Sequence, residues 1–278
     1  MEHFPRIAFI GGGNMANALV NGLIRRGCPL SHLHIVEVVD ALRDQWRERG
    51  VSSSAHPDDL LGEHTVWVFA VKPQQMREVV LSCKPFLGAN TLVISIAAGI
   101  SMDSLSGWLG SPSKQWQKMV RCMPNTPALV SAGVTGMTAP VGLQALDREI
   151  AQQLLSAVGE VVWVNDDAAI DAVTALSGSG PAYVFLFIES LIAGGVALGL
   201  TPDQSRQLAL STLSGATKLA AESSETPSVL RERVTSKGGT TAAALDIFRA
   251  RQFEGIVEAA MQAASTRAAE LSKEFGRA

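Results

Sequence analysis

The chain has 278 residues, enough for about two domains, and its 47% hydrophobic and 18% charged content is that of an ordinary globular protein with a sizeable core. Its 23 basic and 26 acidic residues give a net charge of -3 without any Lys/Arg cluster, which argues against nucleic acid or a membrane surface as partner and for a small molecule. Cys28, Cys83 and Cys122 are odd in number, widely spaced and without a CxxC pair, so they read as reduced, buried thiols of a cytoplasmic protein.

The first element is a strand over Arg6 to Ile10, too short for the apolar region of a signal peptide. It runs into Gly11-Gly-Gly-Asn-Met-Ala16 and then into a helical pattern through Leu19, Val20, Leu23 and Ile24. In Gly11-x-Gly13-x-x-Ala16 the first glycine makes a tight turn and the second lets a pyrophosphate reach the helix N-terminus. The small third residue allows close helix-strand packing. Ile10, Gly11, Gly12, Gly13, Asn14 and Met15 are therefore candidate cofactor-binding residues. A second strand, His34 to Val38, ends around Glu37, about 20 residues on, where a carboxylate can accept from both hydroxyls of a ribose. The competing reading of Glu37 is a solvated strand end.

Val66 to Val71 is a continuous apolar run, as in a parallel strand covered on both faces, and Lys72-Pro73 stops it. Leu92 to Ile96 does the same and is followed by Ala97-Ala98-Gly99. Both strands end in small or chain-breaking residues at one edge of the sheet, where ligands of open α/β folds bind. Met119 to Cys122 gives another strand, ending in Met123-Pro-Asn-Thr-Pro127. Asn125 and Thr126 either present polar groups to a nicotinamide amide or form a plain turn. Val134 to Ala139, a helix from Ala145 to Val158, and Val161 to Val164 complete the sheet, and Asn165-Asp166-Asp167 reads as a helix cap at a boundary. From there strand signals stop. Ala168 to Leu176, Pro181 to Leu200, Pro202 to Glu222, Val229 to Val234, Thr241 to Ala250 and Gly255 to Glu274 read as helices. The expected fold is an α/β Rossmann-like N-terminal domain, residues 1-164, followed by an all-α C-terminal domain, residues 165-278.

Between Ala172 and Pro202 the only charged residue is Glu189, so the helix from Pro181 is apolar around nearly its whole circumference. A membrane span would place Glu189 near mid-bilayer at about 2.5 to 3.5 kcal/mol, and Gly194, Gly195 and Gly199 thin its apolar content. A buried helix covered partly by a second subunit fits better. Its Ser-Gly-Ser-Gly-Pro opening, through Ser179, Gly180 and Pro181, offers small residues and free N-H groups at the edge of a candidate site.

His3, His32, His34, His56 and His64 have no ligand-like spacing, which argues against a metal site. No Lys or His lies between Lys118 and Lys218. Reduction of a ketone needs a proton donor for the developing alkoxide, whereas an imine can arrive already protonated, so the chain leans towards C=N chemistry. Val234-Thr-Ser-Lys-Gly-Gly-Thr-Thr-Ala-Ala-Ala-Leu245 is a hydroxyl- and glycine-rich loop running into a helix. The N-H groups of Gly239 and Thr240, with the Ser236 hydroxyl beside them, suit a carboxylate, or else the loop is simply a capped connection.

The chain resembles the pyrroline-5-carboxylate reductases along essentially its whole length. The resemblance rests on FIGGGNMA, AVKP (70-73), SIAAG (95-99), RCMPNTP (121-127), SGSGPAY (177-183) and above all VTSKGGTTAAAL. It implies NAD(P)H-dependent reduction of 1-pyrroline-5-carboxylate to L-proline, the last step of proline biosynthesis. By the same resemblance Ser236, Gly239 and Thr240 hold the substrate carboxylate and the Thr241 hydroxyl faces the ring nitrogen. Ala70, Val71, Lys72, Pro73, Ile96, Ala97 and Ala98 line the cofactor, with Ser179, Gly180 and Pro181 close to the nicotinamide. The C-terminal domain then serves dimerisation, with the active site built between two subunits and five dimers in a ring. Lys237 stands where relatives often carry proline or a small residue, and Arg249 is also atypical. Glu37 favours NADH at least as much as NADPH, unless Arg43 reaches round to neutralise it. A β-hydroxyacid dehydrogenase shares the layout but places a catalytic Lys on the interdomain helix, and a non-catalytic dinucleotide sensor is the reading from a different class.

Overall fold

Short β-branched runs alternating with helical patterns dictate a sheet flanked by helices, and that is what the computed structural model holds over residues 4-111 and 113-277. His3 lies outside the described residues. The first part of the chain forms β1 (Ile7–Ile10), α1 (Asn14–Arg25), β2 (Leu33–Val36), α2 (Asp40–Glu48), β3 (Ser52–Ser54), α3 (Asp59–Gly62), β4 (Val66–Phe69), α4 (Met76–Cys83), β5 (Leu92–Ser95), α5 (Met102–Leu109) and β6 (Met119–Met123). It continues with β7 (Gly133–Thr138), α6 (Ala145–Leu155), β8 (Gly159–Trp163) and α7 (Asp167–Val173). Among the described residues the strands make one sheet in the order β3-β2-β1-β4-β5-β6-β7-β8, parallel throughout except where β6 meets β7. Its first six positions have the order of a dinucleotide-binding sheet, with the reversal between β1 and β4.

Alternation along the strands supplies both faces of the core. Ile7, Phe9, Val66, Val68, Leu92 and Ile94 enter one cluster with α1 and α6. Ala8, Ile10, Trp67, Phe69 and Val93 enter the other, with Met76 and Val80 of α4 and Leu105 of α5. Cys28, Cys83 and Cys122 are free and buried, and burial pushes the Cys28 thiol up to about 11 and the Cys83 thiol up to about 12.

Three features differ from expectation. β3 is three serines, with no apolar run to announce it. It exists because His34 on β2 reaches across, with Nδ1 2.9 Å from Ser52 Oγ and Nε2 3.1 Å from Ser54 Oγ. Second, β2, β4 and β5 stop at Val36, Phe69 and Ser95, so Glu37, Ala70, Val71 and Ile96 belong to the turns beyond the sheet edge. Third, by its internal contacts the chain gathers into two compact units that part at Ser179/Gly180: one unit is Met1–Ser179 with Ala264–Ala278, the other Gly180–Ala263. α7 stays with the sheet because Arg121 of β6, 2% exposed, pairs with Asp167 at 2.6 Å and Asp171 at 3.3 Å, while Asp167 also accepts from the Met102 N-H at 2.9 Å. Burial raises the Asp171 carboxyl above its ordinary range, against the pull of Arg121.

Beyond α7, Thr174–Gly178 forms a π-turn, followed by α8 (Gly180–Ala197), α9 (Pro202–Glu222), α10 (Pro227–Arg233), α11 (Thr240–Ala250) and α12 (Phe253–Arg277). α8 ends where Gly199 takes φ +97 and the Leu200 and Gly199 N-H groups bond back to Gly195 and Val196, a helix-terminating pattern that a left-handed residue permits. Thr201 and Gln204 then cap α9 reciprocally. Within the single chain α8 has no buried residue: Phe185 is 58% and Leu186 65% exposed, so the all-round burial expected of this helix is not met by its own chain.

Candidate functional site

The carboxyl edge of the sheet is shaped by three successive glycines with different jobs. Gly11 has φ +98 and its N-H bonds to Val36 O at 2.8 Å; a Cβ there would stand 2.8 Å from Ala70 O. Gly12 has both backbone groups claimed by side chains, its N-H by Glu37 Oε2 at 2.8 Å and its carbonyl by Trp46 Nε1 at 3.1 Å. Gly13 has nothing within 4 Å of a Cβ position, which leaves an open approach to the start of α1. That helix has no capping side chain and no acid in its first turn. Helix geometry leaves the N-H groups of Asn14, Met15 and Ala16 without intrahelical partners, aimed at the open space with the positive end of the helix dipole behind them. A pyrophosphate fits such a cradle.

Ile10, Ala70, Val71, Lys72, Pro73, Ile96, Ala97 and Ala98 border the same edge. Ala70 N-H bonds to Ile10 O at 2.8 Å and Ile96 N-H to Phe69 O at 3.1 Å, so the two turns after β4 and β5 are registered to their neighbouring strands. Of these, Ala70, Ala97 and Ala98 bring only a methyl group to the edge. Glu37 stands at the head of the turn after β2, nearly buried, its Oε1 accepting from Val39 N-H at 2.9 Å. The solvated strand end is thereby excluded for Glu37. Arg43 does not neutralise this carboxylate: it donates to the Glu37 carbonyl at 2.7 Å and pairs with Asp40. An open cleft of about 760 Å³, bordered by Arg6, His32, Thr65 and Glu149, lies at the amino ends of the strands, the wrong edge for a dinucleotide.

Asn125 is 8% exposed and both ends of its amide are engaged: Nδ2 donates to Ser177 O at 3.1 Å and Oδ1 accepts from Val134 N-H at 2.9 Å. It therefore acts as a strut under the π-turn, and the turn reading is the one its bonds fit. The helix start expected at Ser-Gly-Ser-Gly-Pro is also different. α7, the π-turn and α8 follow with almost no break, and the Ser179 N-H is spent on Thr174 O at 2.8 Å, so it is not free for a ligand. Ser179, Gly180 and Pro181 are half-buried. π-turns inside helices recur at functional positions.

In the other compact unit the signature loop turns at Gly238, φ +70, and α11 begins at Thr240. The Gly239 N-H is used within the turn, donating to Ser236 O at 3.0 Å, which corrects the expectation that it is free. A Cβ on Gly239 would stand 2.5 Å from Ser236 Oγ, so glycine is what lets that hydroxyl fold over the turn. Gly239 is the N-cap and no side chain caps α11, nor is any acid in its first turn. The groups left without intrahelical partners are the N-H groups of Thr240, Thr241 and Ala242. Ala242 was missed by residue type, and helix geometry alone finds it. Thr241 is at the second helical position, half-buried, and is not the cap of its own helix.

Known proteins match the chain along its whole length, across both of these turns. Residues 167-271 match the family model for pyrroline-5-carboxylate reductase dimerisation, and residues 6-99 that for NADP oxidoreductase, coenzyme F420-dependent. A pyrroline-5-carboxylate reductase of Pseudomonas aeruginosa is 44% identical over 277 residues, 98% of this chain and 99% of the relative. A pyrroline-5-carboxylate reductase structure from Coxiella burnetii superposes with a TM-score of 0.89 at 36% identity, covering 97% of this chain and 99% of that one. The Plasmodium falciparum pyrroline carboxylate reductase, solved with NADP bound, superposes with a TM-score of 0.84 at 28% identity over 96% and 98% of the two chains. With this identity sustained from the glycine turn to the last helix, the chain belongs to the pyrroline-5-carboxylate reductase family.

Proposed function

We propose that the activity of this family, NAD(P)H-dependent reduction of 1-pyrroline-5-carboxylate to L-proline, is carried in this chain by the two uncapped turns at α1 and α11. NAD(P)H, when bound, supplies the hydride that adds to the carbon of the ring C=N bond. Gly11 and Gly12 shape the turn, Gly13, Asn14, Met15 and Ala16 hold its pyrophosphate, and Glu37 holds its adenosine ribose. Ile10, Ala70 to Pro73 and Ile96 to Ala98 form the rim beside it, and Asn125 braces the π-turn that leads to Ser179, Gly180 and Pro181. Ser236, Thr240, Thr241 and Ala242 hold the substrate carboxylate, with Gly239 shaping the turn. The Thr241 hydroxyl orients the imine nitrogen and relays its proton as the amine forms.

The observation that supports this most is the uncapped start of α11: a helix N-terminus with no acid and no capping side chain, half-open in its own unit, is suited to a carboxylate. Comparing 1-pyrroline-5-carboxylate with 1-pyrroline, which lacks the carboxylate, tests it. The wild type should lose at least about tenfold in kcat/KM, the worth of one hydrogen bond to a charged group. Equal kcat/KM for the two would remove α11 from the reading.

The chain further works as a homodimer, in a ring of five dimers, in the cytoplasm. The bare apolar face of α8 supports self-association, and the three buried, free cysteines support a reducing compartment. Asp167–Ala197 is long and apolar enough to cross a membrane by length and composition. Glu189 in its middle and the Gly194-Gly195 pair support an interface with a second copy over a span.

A further inference from the structure

Resting on the reductase reading, we propose that Asp40 and Arg43 decide the coenzyme. Asp40 holds Arg43 down and away from the adenosine 2′ position, leaving the Glu37 carboxylate to meet it, so this chain binds NADH in preference to NADPH.

In a sheet of this order an acid after the second strand accepts from the ribose hydroxyls, and a nearby cation is what admits a 2′-phosphate. Here the groups after β2 are Glu37, Val38, Val39 and Asp40, and Val38 and Val39 bring no charge. Glu37 cannot swing aside, because one oxygen accepts from Gly12 N-H and the other from Val39 N-H. Each oxygen keeps a lone pair for a hydroxyl donor, whereas a phosphate dianion has no proton to offer and repels it.

The cation that would reverse this preference is present but occupied. Arg43 projects from the first turns of α2, and one of its nitrogens donates to the Glu37 carbonyl at 2.7 Å while another pairs with Asp40. Its side chain is 11% exposed, against 86% for Asp40, so the turn shows solvent a carboxylate and hides the guanidinium. The other arginines of α2 and its end are engaged elsewhere. Arg47 pairs with Asp44, and Arg49 lies over the Trp46 ring and bonds to Asn17 and Asn21. Only the Asp40 end of this pair is exposed, and an ion pair with an exposed partner is a weak latch, so replacing Asp40 should loosen it and leave Arg43 held by the Glu37 carbonyl alone.

The test is the dissociation constant of NADH and of NADPH for the purified full chain, read by calorimetry without substrate, for wild type, Asp40→Asn and Asp40→Asn/Arg43→Ala. Wild type should bind NADH at least about tenfold more tightly, as expected for placing a dianion beside a fixed carboxylate. Asp40→Asn should tighten NADPH about five- to tenfold while leaving NADH as it was, and adding Arg43→Ala should cancel that gain. Glu37→Ser should narrow the NADH-to-NADPH ratio, at some cost in stability because two N-H groups lose their acceptor. A wild type that prefers NADPH, or an Asp40→Asn enzyme with unchanged NADPH affinity, would overturn the inference. Tight, selective NADH binding without turnover of pyrroline-5-carboxylate would instead sink the proposed function and leave this selectivity standing.

Discussion

At the scale of single residues, the glycine triplet makes two opposite predictions from one motif. A Cβ at Gly12 would meet Trp46 Nε1 at 2.6 Å and Ile35 Cγ2 at 3.0 Å, so Gly12→Ala should cost about 1-3 kcal/mol of stability through overpacking. Gly13 has open space, so Gly13→Ala should melt like wild type yet weaken dinucleotide binding about tenfold or more, the worth of one hydrogen bond to a charged group. Thermal melts and NADH titrations of both variants check the contrast; unchanged NADH affinity in Gly13→Ala would mean the phosphates lie elsewhere. Thr241 is the second residue-scale claim. Because Gly239 is the N-cap of α11, removing the Thr241 hydroxyl should leave stability nearly unchanged. Thr241→Ala should lower kcat about 10- to 1000-fold, the range for one oriented donor or proton-transfer group, and Thr241→Ser should restore most of it. A lowered melting temperature with wild-type turnover would make Thr241 a structural residue.

At the scale of elements, the strands that read clearly were those with buried β-branched runs, and α9 spans Pro202–Glu222, the same bounds as its helical pattern. What stayed hidden depended on cross-chain partners. β3 is held by the His34 ring, and Asn125 braces a π-turn 52 residues away along the chain, a link no local pattern contains. The strand ends were overextended by one or two residues because apolar residues such as Val71 continue into the binding turns. The His34 strut also has a pH consequence. Burial, with His64 stacked at 5.3 Å, lowers the His34 imidazole from 6.5 to about 4. The unfolded chain therefore takes up the proton first as pH falls, so stability present above pH 6.5 is lost progressively towards pH 4. Urea midpoints at about pH 7 and about pH 5 should differ in that direction, and His34→Gln should reduce the difference. A pH-independent midpoint for the wild type would contradict the assignment. Arg121 makes a stronger statement about α7. Arg121→Ala leaves Asp167 and Asp171 without their counter-charge and should cost about 3-5 kcal/mol; a loss below about 1 kcal/mol would mean that α7 is held by its apolar contacts alone.

At the scale of the whole molecule, the helix from Gly180 to Ala197 was legible as one that needs company, since Glu189 is its only charge. The chain itself does not provide that company, and Val184, Phe185 and Leu186 stay exposed. Light scattering at micromolar concentration should therefore find dimers or multiples of dimers, and Leu186→Glu should dissociate them and abolish activity; a folded, active wild-type monomer would contradict this. The chemistry was partly legible: the long stretch without Lys or His lacks the usual general acid and leans towards an imine. The most direct measurement is label transfer with the purified protein, NADH deuterated at the nicotinamide C4 position on the transferred face, and 1-pyrroline-5-carboxylate. The account predicts L-proline carrying one deuterium on the ring carbon that was double-bonded to nitrogen, formed one for one with oxidised cofactor. Oxidation of NADH without labelled proline, or no oxidation by a folded protein that binds NADH, would contradict it.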